Sequence, residues 1–257
     1  MDIKKYLERI GYKGTPTLTY ETLWNLQLLH LRSVPFENLS IHLNEPIILK
    51  HESLFNKIVL NKRGGFCYEL NGLFAALLRQ LGFNVSMLSA GVAKTDGGFG
   101  PDFDHMILMV LLEDRWLIDV GFGDSFQQPL LIDEREVQVQ GDRLYRIEND
   151  GSYLILKEKK KDDEWKAQYR FSLQSRGLSD YSEMCLYHQT SPGSDFTQKR
   201  ICTIAKHKGR ITLSNMRFIE TRDDERRERI LKNESEYARI LKGEFGIVLK
   251  SKIKISK

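Results

Sequence analysis

Arg63-Gly64-Gly65-Phe66-Cys67-Tyr68-Glu69-Leu70-Asn71 places a cysteine directly after a glycine pair and at the head of an apolar run. Leu70, Leu73, Phe74, Leu77 and Leu81 recur at helical spacing, which predicts a core-facing helix opened by Cys67 and closed at Gly82. A cysteine in a first helical turn lies over unpaired backbone N–H groups and the positive end of the helix dipole. That setting favours thiolate over thiol, and thiolate is the nucleophilic form. A small buried cysteine that merely begins a helix accounts for the segment equally well, so the rest of the chain has to decide.

Upstream the pattern stays helical. Ile3, Tyr6, Leu7 and Ile10 share one face and Gly11 follows as a stop. From Thr19 to Arg32, Leu23, Leu26 and His30 lie on one side, with Leu29 beside them. Pro35 disfavours the α conformation of the residue before it, so Val34-Pro35-Phe36-Glu37-Asn38-Leu39 ends that helix. Leu54, Phe55, Ile58 and Val59 predict another short helix.

Downstream the period changes. Val85–Ser89, Met106–Leu112 and Trp116–Val120 are short and strand-like, with Glu113-Asp114-Arg115 as the turn between the last two. Further strands are expected at 137–139, 144–147, 153–157 and 167–171, making the middle of the chain antiparallel β and a candidate barrel. Lys159-Lys160-Lys161 beside Asp162-Asp163-Glu164 reads as a solvated hairpin tip. The last part is mixed. Strands are expected at 211–213 and 217–221, and Asn233 with Glu236 caps a helix that carries Tyr237, Ile240 and Leu241 and stops at Gly243. Soft boundaries fall near residues 84 and 190.

Composition narrows the function classes. A chain of 257 residues with 41% hydrophobic residues builds a core. A net charge of +4 is compatible with an anionic small molecule and argues for no nucleic-acid partner. The three cysteines, Cys67, Cys185 and Cys202, form no disulfide framework and no metal-ligand spacing, so no metal is expected. A reducing, cytoplasmic setting follows. The charged start Met1-Asp2-Ile3-Lys4-Lys5 lacks a signal-peptide core, and no run reaches the roughly 18 apolar residues of a membrane span, so no membrane association is expected.

A thiolate nucleophile needs a proton acceptor and a group that orients it. Among the six histidines, His105 stands at the entrance to a strand, after a loop bearing Gly97, Gly98 and Gly100. Asp119, in Leu117-Ile118-Asp119-Val120-Gly121-Phe122-Gly123, is a carboxylate amid apolar neighbours and requires a partner. A tight turn centred on Glu113-Asp114 would set His105 opposite Phe122, so contact with Asp119 needs a longer turn, a bulge or a stagger. Asp104, Glu69 and Asp124 compete as partners. Glu37 and Arg63 are candidates for a bidentate ion pair positioning the Cys67 turn. Gly121 and Gly123 allow close backbone approach to a ligand, or simply make a bulge. Cys185 and Cys202 read as structural, and His188 as serving the boundary near residue 190.

Taken in order, these segments resemble the arylamine N-acetyltransferase family over nearly the whole chain. The match runs through Val34–Leu39, Arg63–Asn71, Asp104-His105-Met106 and Asp119–Gly123, with weaker echoes at 191–196, 209–213 and 245–247. The resemblance implies a triad of Cys67, His105 and Asp119. It implies an α+β multidomain fold with a cysteine-protease-like catalytic core. Residues 1–84 would form a helical bundle bearing the cysteine, 85–190 an antiparallel β-barrel bearing His105 and Asp119, and 191–257 an α/β lid. Acetyl-coenzyme A would be the donor and an arylamine, arylhydrazine or N-arylhydroxylamine the acceptor. Phe103, Asp104, Gly121, Phe122 and Gly123 would lie near the coenzyme A thioester, and Phe36 and Phe122 would wall the acceptor pocket. A monomer or weak homodimer is expected. The nearest alternative is a papain- or transglutaminase-like hydrolase using the same cysteine and histidine.

Overall fold

The computed structural model describes residues 1–160, 163–223 and 225–249. The chain begins with α1 (Ile3–Ile10) and α2 (Tyr20–Ser33). Asp2 caps α1 by accepting the Lys5 N–H, and Thr19 caps α2 by accepting the Thr22 N–H. Strand β1 (Phe36–Glu37), α3 (Leu39–His42) and α4 (His51–Phe55, running on as a π-helical turn to Leu60) lead to α5 (Cys67–Gln80). Every residue of α5 from Cys67 to Ala75 is buried. The core-facing helix that the leucine spacing predicts is therefore central and buried nearly all round over its first nine residues.

The middle of the chain forms one eight-stranded antiparallel sheet. Its strands are β2 (Asn84–Val92), β3 (His105–Leu111), β4 (Arg115–Ile118), β5 (Leu130–Leu131), β6 (Gln138–Gln140), β7 (Arg143–Asp150), β8 (Tyr153–Lys160) and β9 (Lys166–Arg176). Their order is β5-β4-β3-β2-β9-β8-β7-β6. The outer strands β5 and β6 are bridged by side chains in place of a ladder. The Gln138 amide accepts the Leu131 N–H at 2.8 Å and donates to the Leu131 carbonyl at 2.9 Å. Gln140 treats the backbone of Gln127 and Gln128 alike. The curled sheet is thereby nearly closed, around Leu88, Ile107, Leu117, Phe126, Tyr145, Leu156, Tyr169 and Phe171. The charged tip expected at 159–164 falls partly on residues outside the described ones.

A second sheet has the order β1-β10-β11-β12-β13, with β10 (Ile201–Lys206), β11 (Gly209–Ser214), β12 (Arg217–Arg222) and β13 (Glu225–Ile230). Two residues of the N-terminal region supply its first strand, because Phe36 pairs with Thr203 and Glu37 with Cys202. Between the sheets lie α6 (Ser182–Thr190) and the short α7 (Asp195–Gln198). Helix α8 (Glu234–Phe245) covers the second sheet through Tyr237, Ile240, Leu241 and Phe245. It runs through Gly243 and stops at Gly246, whose left-handed φ of 69° lets its N–H reach the Leu241 and Lys242 carbonyls. Burial of Phe245 carries the helix past the glycine expected to end it.

Candidate active site

Helix α5 begins in a packed ionic collar. Glu69 turns back to accept the Phe66 N–H at 3.1 Å and holds the Lys57 ammonium at 2.8 Å. Burial pushes the Glu69 carboxyl up, against the pull of Lys57. The glycine pair before Cys67 exists for space. A Cβ on Gly64 would stand 1.9 Å from the Pro35 carbonyl oxygen, and one on Gly65 would stand 2.7 Å from Glu69 Oε2. Arg63 and Glu37 do pair, yet not as a two-oxygen fork. Arg63 Nε and Nη2 both lie 2.9 Å from Glu37 Oε1, while Oε2 accepts the Leu39 N–H at 2.7 Å. Burial raises the Glu37 carboxyl, but Lys57, Arg63 and the Leu39 N–H outweigh it and hold it below its ordinary value.

Cys67 is 3% exposed and lies near the backbone of Met106. Burial pushes the thiol well up, the Met106 backbone opposes this, and the carboxylates of Asp104 and Asp119 push it further up. Burial therefore opposes the pull that the head of the helix exerts on the thiol.

His105 and Asp119 meet because α5 drives strands β3 and β4 apart. Their ladder runs from Leu111↔Arg115 to Leu108↔Ile118, around a loop one residue longer than the tight turn expected. Continued regularly, it would pair Met106 with Val120. The Asn71 side chain occupies that place. Its Nδ2 donates to the Met106 carbonyl at 2.6 Å, and its Oδ1 accepts the Val120 N–H at 3.0 Å. Freed from the ladder, Asp119 accepts from Asn71 Nδ2 at 2.9 Å and from the Gly121 N–H at 2.8 Å through Oδ1. Its Oδ2 lies 2.7 Å from His105 Nε2. A carboxylate acceptor there puts the imidazole proton on Nε2 and leaves Nδ1 as the nitrogen with a lone pair. The competing carboxylates are committed elsewhere: Glu69 to Lys57, Asp124 to Arg143 and Arg210, and Asp104 to His188.

A sequence-family model described as N-acetyltransferase matches residues 19–254. The pineal gland arylamine N-acetyltransferase NAT-10 of Gallus gallus is 33% identical over 279 residues, covering 98% of this chain and 96% of that protein. The chain belongs to the arylamine N-acetyltransferase family. Members of this acyltransferase family share its architecture. The Mycobacterium marinum arylamine N-acetyltransferase in complex with CoA superposes with a TM-score of 0.88 at 30% identity, covering 96% of this chain and 93% of that one. The Bacillus cereus arylamine N-acetyltransferase, with a Cys-His-Glu catalytic triad, superposes with a TM-score of 0.89 at 26% identity, covering 97% and 100%.

Around His105, the Phe122 ring stands edge to face with its centroid 5.3 Å away, and the Tyr169 ring centroid is 5.4 Å away. A Cβ at Gly121 would stand 2.7 Å from both Asn71 Nδ2 and the Cys67 Cα, so only glycine lets this loop lie on the head of α5. Gly123, at φ 94°, faces Phe36 and Thr203. Phe36 is buried against Phe196. Phe103 has φ 67°, an unusual conformation for an aromatic residue, two positions before His105. Asp104 spends its carboxylate on the Val92 N–H and on His188. Sequence reasoning assigned no role to Asn71 or Tyr169. The Asn71 signal was its place four residues after Cys67, on the same face of the helix. Tyr169 carries no local signal, since only barrel closure brings β9 beside His105. Among the described residues no group of His, Cys, Asp and Glu could hold a metal ion, and no helix is long and apolar enough to cross a membrane.

Proposed function

We propose that this chain transfers the acetyl group of acetyl-coenzyme A to the nitrogen of arylamines, arylhydrazines or N-arylhydroxylamines through an acetyl-cysteine at Cys67. The observation that supports this is the 2.7 Å contact of His105 Nε2 with Asp119 Oδ2, whose carboxylate also holds the Gly121 backbone that lies against the head of α5 at Cys67. His105 Nδ1 takes the Cys67 proton, and Asp119 stabilises the resulting imidazolium. Burial makes a solitary thiolate expensive, so the anion forms together with the imidazolium as an ion pair. The sulfur attacks the thioester carbonyl, the C–S bond to coenzyme A breaks, and the departing thiolate takes the imidazolium proton. The free amine then attacks the acetyl-cysteine, His105 accepts a proton from its nitrogen, and Cys67 is released.

The coenzyme A phosphates fit the cleft of about 460 Å³ beside Gly123 and Asp124. Arg143, His207, Lys208 and Arg210 line it, and Arg143 and Arg210 share the single Asp124 carboxylate. Arg143 also meets Glu158 at 3.0 Å and Lys208 meets Asp223 at 3.5 Å, so an anionic ligand would exchange these ion pairs for its own. In this reading residues 1–84 carry the nucleophile and 85–190 the base and its carboxylate. Residues 191–257 form the lid over the donor, and the enzyme works in a reducing cytoplasm as a monomer or weak homodimer.

Two substrates that visit one covalent intermediate give parallel double-reciprocal plots. Incubation with acetyl-coenzyme A alone should add one acetyl group to the peptide containing Cys67, and a later addition of an arylamine should remove it. Intersecting plots with no acetylated peptide would overturn the mechanism. Rapid hydrolysis of an acetyl ester without amine would favour a hydrolase.

A further inference from the structure

A second imidazole–carboxylate pair lies one residue from the first. His188 Nε2 is 3.3 Å from Asp104 Oδ1, and its Nδ1 is 3.0 Å from the buried Ser194 hydroxyl. His188 itself is 6% exposed, packed against the rings of Phe196, Tyr187 and Tyr68. The residues it reaches are those that deliver His105. Phe103, in its left-handed conformation, is pinned at both its N–H and its carbonyl, and the next carbonyl is held as well. Its N–H donates to Ser89 Oγ at 2.7 Å, its carbonyl accepts from Tyr68 Oη at 2.7 Å, and the Asp104 carbonyl lies 3.1 Å from the same hydroxyl. The Asp104 side chain adds the Val92 N–H at 3.1 Å. A non-glycine residue at positive φ persists only where its surroundings over-determine it. Burial raises the Asp104 carboxyl, yet His188 and the Val92 N–H outweigh it and hold it below its ordinary value, so Asp104 is an anion at neutral pH.

We propose that His188 is a positioning residue for acyl transfer, holding through Asp104 the turn that leads into His105. The atom arrangement Ser194–His188–Asp104 imitates a serine triad, but the Ser194 hydroxyl accepts the Phe196 N–H as a helix cap and is buried. Its role is to fix the imidazole, which lies on α6 while its target lies at the start of β3. The clamp thus ties the segment between the sheets to the strand entrance, and a displacement of about 1 Å at such a site is enough to slow chemistry strongly.

The inference rests on the acetyl-transfer reading, and the test separates the two. In His188→Gln the amide nitrogen occupies the place of Nε2 and keeps the Asp104 contact. In His188→Asn the amide occupies the place of Nδ1 and keeps only Ser194. Burst release of p-nitrophenol from its acetate ester should fall roughly ten- to a hundred-fold in His188→Asn and Asp104→Asn, with little change in KM, as misaligned groups lose. His188→Gln should stay within about three-fold of wild type at a similar melting temperature to His188→Asn. Equal rates for the Gln and Asn variants, or losses that follow melting temperature alone, would overturn the clamp. Alkylation of Cys67 by iodoacetamide needs the same alignment and no acetyl group. If wild-type protein alkylates readily but transfers no acetyl group, the proposed function fails. The same ranking of variants in alkylation then still supports the clamp, and its absence refutes it.

Discussion

Asn71 decides where Asp119 points. One side chain satisfies the Met106 carbonyl, the Val120 N–H and an Asp119 oxygen, all of them buried. Replacing it with leucine, which has the same branching, strands the Met106 carbonyl and the Val120 N–H and leaves Asp119 Oδ1 with the Gly121 N–H alone, and each unsatisfied buried group costs about 1–3 kcal/mol. Asn71→Leu should lower the urea midpoint at unchanged slope, by at least about 2 kcal/mol of stability, and abolish acetylation of Cys67. A stable variant with wild-type activity would show that the strands part for some other reason. The residues themselves were legible. Cys67 was marked by its glycine pair and helical run, His105 by its place at a strand entrance, and Asp119 by its apolar neighbours. Their meeting was not, because register counting treats a hairpin as regular, and here a side chain from another element replaces one rung of the ladder.

At the level of elements, pattern recovered the helices and the main hairpins and missed a fully exposed strand and a two-residue one. The helices α1, α2 and α8 and the strands of the main hairpins carry the periodicities that burial of one face imposes, and α5 keeps a helical spacing of leucines although it is buried nearly all round. Strand β13 reads Glu-Arg-Arg-Glu-Arg-Ile and is exposed throughout, so hydrophobic patterning offers no trace of it. It exists because β12 templates it, and its charges protect a sheet edge from further pairing. Strand β1 is two residues long and exists only because β10 pairs with it. The closure of the barrel is also invisible in sequence, since Gln138 and Gln140 look like ordinary surface residues. Gln138→Leu should cost about 1 kcal/mol and speed hydrogen exchange at the Leu131 amide, while amides in β2 and β3 keep their protection. Unchanged exchange at Leu131 would mean that the glutamine bridge contributes nothing to closure.

Across the whole molecule, the buried imidazoles play opposite parts. His105 and His188 face carboxylates, whereas His30 is enclosed by Tyr6 and Phe74 in the helical core. Burial, with Arg9 nearby, pulls the His30 pKa down to about 3. Its folded value lies below its unfolded value of about 6.5, so the folded state keeps it neutral while the unfolded chain binds a proton. The stabilisation is complete above about pH 6.5 and is lost as pH falls from there toward about pH 3. Stability should therefore decline by up to about 1.4 kcal/mol per pH unit through this window, and His30→Gln should flatten that slope in urea titrations at pH 6 to 4. An identical slope in the variant would remove His30 as the cause.

In the proposed mechanism one buried sulfur becomes an anion near neutrality only because an imidazole, held by Asp119, shares its proton. Ultraviolet absorbance of the thiolate during a pH titration tests it. The other two thiols stay silent at neutral pH, because burial pushes Cys185 up to about 12 and Cys202 well above its ordinary value. Wild-type protein should show one thiolate at pH 7, absent in Cys67→Ser, and His105→Gln should show none until strongly alkaline pH. A full thiolate signal at pH 7 in His105→Gln would contradict the account, because the head of the helix would then suffice to ionise Cys67 without the imidazole.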